Sequence, residues 1–395
     1  MRCLYLKEYR HHQIRTLYIC IFIISCGLFW WLPSFFYLIL GVKDSLKIST
    51  LITSFLGLIL FCWGYNFPPI FLKRLSPTLL YDQCEKLSYT LTILISLPAF
   101  LVSILFYMSR SGVPYGTGSG IPIYYQAILY IHLFVGLLYL GVAECTEAQK
   151  RKVLAVCFMI ILPRLIISLH WGRFFVAQAI IPIALIAVAR GWIKLTKRFF
   201  LFLILLGGAV VFIPSLTRGD QLIGQGSLVK FFADGSTLNL YQKNMNLDLD
   251  GRCPPLLVSL TSQIVPYSRL GVCTIHVWGE NLPATLDRIL AYNQPGSEGN
   301  LTGPGANYLL SLYISGGLFS LYIGSFIFGY TASCMVGWIS RRSLYTGIWA
   351  DCLTRSFLAP RGTLGYVYQR IPSLIIATWV VVLIAYAIRP KSNRN

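Results

Sequence analysis

Four arginines stand at or near the ends of apolar runs, where a chain of this composition has least use for charge: Arg164, Arg173, Arg361 and Arg370. Arg164 follows Pro163 inside a long hydrophobic stretch, and Arg173 sits in the tight Trp171-Gly172-Arg173 connection after it. Arg361 and Arg370 flank the short connection before the last apolar run. A guanidinium presents a planar fork of donors that matches phosphate oxygens, and it keeps its charge at any working pH. Charge at membrane depth is costly and tends to face a cavity or a partner. As a set these arginines point to an anionic ligand. Each taken singly also fits an interfacial anchor that snorkels to headgroups.

A second reservoir of reactive groups lies in the one long polar segment, Thr217–Gly305, which carries Arg269, His276, Glu280, Asp287, Arg288 and Glu298. A carboxylate or imidazole there would serve as a base for an attacking hydroxyl. His276 and Glu280 are four residues apart, so a helix would set them on one face. They are the candidate catalytic pair, against a background in which most loop carboxylates are simply solvated. Asp351 and Arg355 share that spacing inside an apolar run and read as a structural ion pair. Of 11 cysteines only Cys253 and Cys273 fall in the polar segment. Two free thiols and a disulfide both remain open; a bridge would close a loop of about 20 residues and contribute about 3 kcal/mol. Phosphate-loop, serine-elbow and zinc-helix signatures are missing, so neither metal nor cofactor is expected.

The elements that must position these groups are membrane spans. Hydrophobic residues make up 56% and charged residues 12% of the chain, with a mean hydropathy of +0.65. A bilayer needs about 20 apolar residues per helix. By that rule the spans are Thr16–Leu40, Leu46–Tyr65, Ser88–Met108, Ile121–Ala143, Val153–Trp171, Phe174–Ala189, Phe199–Leu216, Ala306–Trp338, Ser343–Ala359 and Val367–Ile388. The expected fold is all-α: a polytopic membrane protein of about ten helices. Seven spans lie in 1–216, the large loop in 217–305 and three in 306–395, and short helices are expected in the loop. The first run is too long for a cleavable signal and is expected to stay as a helix.

Basic clusters such as Lys150-Arg151-Lys152 and Arg341-Arg342 orient the chain, with both termini and the short basic loops inside the cell and the long loop outside. The net charge of +19 is therefore assigned to membrane orientation and anionic lipid, not to nucleic acid.

The pattern resembles the Wzy-type polymerases of O-antigen and related repeat-unit polysaccharides, distantly including the enterobacterial common antigen polymerase. The resemblance rests on Pro163-Arg164 through Gly172-Arg173-Phe174, Ala189-Arg190-Gly191, Gly303-Pro304-Gly305-Ala306-Asn307-Tyr308, Gly316-Gly317-Leu318 and Ala359-Pro360-Arg361-Gly362. It covers mainly the second half of the chain; the first half matches in hydropathy alone. It implies a metal-independent glycosyltransferase at the periplasmic face of a bacterial inner membrane. Such an enzyme joins undecaprenyl-pyrophosphate-linked oligosaccharides, in some cases beside a chain-length regulator protein. By position, Arg173, Arg269 and Arg361 would hold pyrophosphate, followed by Arg164 and Arg370. An O-antigen ligase shares these features. A lipid-linked sugar flippase would show more spans and repeat symmetry.

Overall fold

The computed structural model describes residues 2–32, 47–68, 78–110, 122–193 apart from 145 and 170–173, residue 241, most of 253–289, and 307–388 apart from 358 and 361–363. The expected seventh span and most of the long loop lie outside the described residues.

Helices dominate. They are α1 (Arg2–Cys26, continued by a π-turn over Gly27–Trp31), α2 (Ile48–Asn66), α3 (Thr78–Ser109), α4 (Ile123–Val142), α5 (Glu147–Ser168) and α6 (Phe174–Arg190). Within the loop lie α7 (Pro255–Thr261), α8 (Tyr267–Leu270) and a hairpin of β1 (Thr274–Val277) and β2 (Glu280–Pro283); after it come α9 (Tyr308–Ile339), α10 (Thr346–Ser356), α11 (Leu364–Tyr368) and α12 (Ile371–Ala387). Four stretches among the described residues are long and apolar enough to cross a membrane: Ile48–Asn66, Tyr81–Ser109, Tyr124–Val142 and Tyr308–Ile339. The outer faces of α3 and α12 keep Leu94, Leu97, Leu105, Ile376 and Leu383 exposed, as a lipid-facing surface requires. The molecule is a membrane-type helical bundle.

Local chemistry accounts for several element ends. Asn307 caps α9, its side chain accepting from the Leu310 N–H at 2.8 Å, which satisfies one of the orphan donors of the first turn. Pro372 stands in the first turn of α12, where its missing N–H costs nothing. Along α3, Ser88, Thr92 and Ser96 each return a hydroxyl to the carbonyl four residues back, so no polar side chain on this stripe is left bare. Inside α9 the backbone breaks at Gly316–Gly317, where Gly317 has φ +65°. A side chain at Gly317 would be strained there.

Two expectations are corrected. The ninth apolar run folds as α10, only 11 residues, or about 16 Å of helix, too short to cross a bilayer on its own. The tenth is divided between α11 and α12. Backbone broken at this depth is tolerated where protein or a cavity surrounds it, and α10 is buried along nearly its whole length. Second, the segment holding His276 and Glu280 forms a hairpin, not a helix. Its register sets His276 opposite Asn281 and Glu280 opposite Val277. Cross-strand partners share a face and neighbours along a strand do not, so this register puts positions 276 and 280 on opposite faces of the hairpin; the β-branched Thr274, Ile275 and Val277 favour extended backbone.

The start of α3, the end of α4 and the α9–α10 connection meet at Arg342, which pairs with Asp82 at 3.2 Å, Glu85 at 3.3 Å and Glu144 at 2.6 Å. Glu85 also accepts from Gln149 of α5. This pole carries the basic clusters that the charge pattern assigns to the inside.

Cys253 and Cys273 form a disulfide, with Cα atoms 5.3 Å apart and a sequence separation of 20. It ties the start of α7 to the hairpin, and the Thr261 hydroxyl meets the Tyr267 hydroxyl at 2.6 Å inside the same loop. Replacing both cysteines by serine is expected to cost the loop about 3 kcal/mol of local stability. Limited proteolysis should then cut within 253–289 many times faster, with the thermal midpoint of the bundle little changed.

Candidate functional site

The cavity lies between α4, α10 and α12. It has a volume of about 410 Å³, within the range of small-ligand sites. Its polar wall is Gln126, Tyr130, Asp351, Arg370 and Ser373, and its apolar wall includes Ile131, Phe134, Leu137, Leu374 and Ala377. The cavity is thus amphipathic. Charged groups gather beside Tyr130, and an apolar groove continues along α4 and α12 toward the Arg342 pole.

Tyr130 is the pivot. Arg370, the residue that caps the start of α12, lays its guanidinium over the ring with 3.5 Å between the guanidinium carbon and the ring centroid. Arg164 approaches the same ring from α5 at 5.9 Å. A cation over an aromatic face is held by the ring quadrupole, so one tyrosine steadies two like charges that would otherwise repel. Arg164 is fully buried. Its Nη2 donates to the Leu129 carbonyl of α4 at 2.6 Å, while its Nε and Nη1 have no hydrogen-bond partner. It does not line the cavity; it stands behind the Tyr130 wall and acts on the space in front through its field.

Arg355 and Asp351 complete the cluster from α10. They are buried and joined, Arg355 Nε to Asp351 Oδ2 at 2.8 Å, as the four-residue spacing leads one to expect. Arg164 is within electrostatic reach of Asp351, Arg355 and Arg370. Among the described residues, three guanidinium groups therefore face one carboxylate, and the surplus of positive charge is strong at low dielectric. Such a site favours an anion carrying more than one charge.

Of the sequence-nominated residues, Arg164 and Arg370 are brought together. Arg173 and Arg361 lie outside the described residues. Arg269 is exposed on α8 and does not line the cavity. His276 is exposed, with Nδ1 3.0 Å from Asn281 Oδ1, and it too is absent from the cavity wall. Of Glu280 only the strand position is described. Sequence reasoning passed over Tyr130 and Gln126, because a tyrosine or glutamine near the end of a span carries no periodic or charge signal. It also assigned Asp351 to structure alone.

Arg164→Met offers a test of role. A buried cation with two unpaired donors costs stability, and apolar replacement of such groups is often neutral or stabilising. Arg164→Met is expected to hold or raise the thermal midpoint while binding of inorganic pyrophosphate weakens about tenfold. A fall of several degrees together with unchanged pyrophosphate binding would make Arg164 a structural residue.

Compared with known proteins, the chain matches no family description, no curated protein and no solved structure.

Proposed function

We propose that this protein is a repeat-unit polymerase, a membrane glycosyltransferase that extends lipid-pyrophosphate-linked oligosaccharides. The observation that carries the reading is the amphipathic cavity: surplus guanidinium charge around Tyr130 opens into an apolar groove along α4 and α12. A polyprenyl diphosphate has that same division, two phosphates on a long hydrocarbon. In the proposed complex Arg370 takes the phosphate oxygens, Arg164 and Arg355 supply field from behind, and the first isoprene units follow the groove. Diphosphate is already a good leaving group. The protein's task is to stabilise charge developing on it and to hold the acceptor hydroxyl nearby.

The wider assignment follows from the same reading: the expected spans other than the ninth, a bacterial inner membrane, both termini in the cytoplasm and the active site facing the periplasm. The disulfide in the long loop supports an oxidising compartment on that side. Basic residues near the Arg342 pole support the cytoplasm on the other.

The test is direct. Purified protein in lipid vesicles is given a synthetic polyprenyl-diphosphate-linked repeat unit, with a chelator present. Lipid-linked dimers and longer ladders, with release of polyprenyl diphosphate, are the expected products. Transfer only to added lipid A-core would make the protein a ligase. Movement of the donor across the bilayer without new glycosidic bonds would make it a flippase, and no reaction of any kind would reject the reading.

A further inference from the structure

The cavity contains a single carboxylate among the described residues, Asp351. It stands one turn beyond Gly347 on α10, and both line the same space, as residues four apart on a helix do. Gly347 sets the floor, where a side chain would press on the backbone of Leu137 in α4. Asp351 is 4% exposed. Its two oxygens have different fates. Oδ2 accepts from Arg355 Nε at 2.8 Å, whereas Oδ1 is buried with no hydrogen-bond partner.

That asymmetry needs a cause. A carboxylate kept only as a counter-ion for arginine is best served by a bidentate fork, which satisfies both oxygens. A buried acceptor left bare is costly. Here the guanidinium engages one oxygen through Nε and leaves the other bare, on a residue that lines a cavity already rich in positive charge. An anion would be repelled by Oδ1 and drawn to Arg370, so the group that suits Oδ1 is a neutral hydroxyl donor. The site thus offers two chemically distinct subsites, one for phosphate and one for an alcohol.

We infer that Asp351 is the base of the reaction, its Oδ1 receiving the proton of the acceptor sugar hydroxyl. The inference rests on the glycosyl-transfer reading above. In the step, the acceptor O–H bond breaks and its proton passes to Oδ1. The freed oxygen pair forms the bond to the anomeric carbon of the donor glycan. The bond from that carbon to the phosphoryl oxygen breaks, and its electron pair leaves on the lipid diphosphate facing Arg370. Asp351 then returns the proton to solvent. Arg355 is a positioning residue: its Nε holds Oδ2 and fixes the orientation of the carboxylate. This places the base on a membrane helix and removes that role from the hairpin residues His276 and Glu280.

The experiment uses full-length protein in vesicles with the synthetic lipid-diphosphate repeat unit. Asp351→Asn keeps the volume and a carbonyl oxygen for Arg355 but accepts no proton. Turnover is expected to fall at least about 100-fold, the lower end for loss of a general base, while KM and the Kd of polyprenyl diphosphate stay within about twofold. Asp351→Glu should return part of the lost turnover. Equal losses in turnover and diphosphate binding, or turnover of Asp351→Asn within threefold of wild type, would overturn the inference. If Asp351→Asn is not recovered folded, Asp351→Glu decides: unchanged turnover overturns it, and a drop of tenfold or more at unchanged KM and thermal midpoint upholds it. A wild-type protein that makes no longer glycan would instead overturn the polymerase reading, so the two failures are distinguishable.

Discussion

Arg370→Ala is expected to abolish chain extension, lowering the rate at least about 100-fold, as loss of one charge-stabilising donor does in other active sites. The protein should still fold. Arg370 is half-buried at the start of α12, and its principal contact is the face of Tyr130 at 3.5 Å. Losing a cation–π contact costs about 0.5–2 kcal/mol, too little to unfold a bundle of this size. On the proposed glycosyl transfer the catalytic cost is larger, because the guanidinium would meet charge that grows as the diphosphate departs, and interactions strengthened in the transition state govern turnover.

Arg370→Lys sharpens the expectation. It keeps the charge but loses the planar fork and the stacking surface, so it should recover binding better than turnover. Steady-state kinetics with the lipid-linked repeat unit, beside a thermal scan of each variant, separate the two effects. Rates of Arg370→Ala within threefold of wild type would remove Arg370 from the site. The contrast with Arg164→Met is informative too: the residue behind the Tyr130 wall should matter less than the one facing the cavity.

The sequence made the class of fold legible because span length and charge are summed over many residues, and no single error moves them. Runs such as Leu46–Tyr65 and Ile121–Ala143 reappear within two residues as α2 and α4. The ninth run was harder: Asp351 and Arg355 lower its hydropathy, and it folds as a half-length helix that delivers Asp351 to the cavity wall with Arg355 buried beside it. The interruption was therefore the signal. At the site, Arg164 and Arg370 stand out as charges in an apolar setting, but nothing in the sequence tells that both converge on Tyr130. Convergence depends on how α4, α5 and α12 pack, over separations of tens to hundreds of residues. The His276–Glu280 pairing failed for a local reason: the chain turns between them, and the hairpin register pairs Glu280 with Val277, so the two positions fall on opposite faces.

Packing also sets the most severe structural prediction. α2 and α9 lie against each other with glycines at the crossing: a side chain on Gly329 would collide with the Phe61 carbonyl oxygen, and one on Gly64 with that of Phe326. Small residues that let backbones touch are the usual glue of membrane helices, because lipid supplies no hydrophobic drive to pair them. The neighbouring aromatics depend on this approach. Phe61 stacks on Phe22 at 4.0 Å and meets Phe328 at 5.2 Å, and Phe328 meets Tyr308 at 5.2 Å. Tyr308 in turn donates its backbone N–H to the Ala359 carbonyl, at the connection that leads from α10 toward Arg370. Gly329→Leu is therefore expected to force the helices apart and to cost about 3 kcal/mol, the upper end for overpacking a close-packed site, or more. Little folded protein should be recovered from membranes, and what remains should lose activity because Ala359 is no longer held. Gly27→Ala is the control, since a methyl there meets open space. A Gly329→Leu protein with wild-type yield and thermal midpoint would show that the α2–α9 crossing is not the contact that organises the bundle.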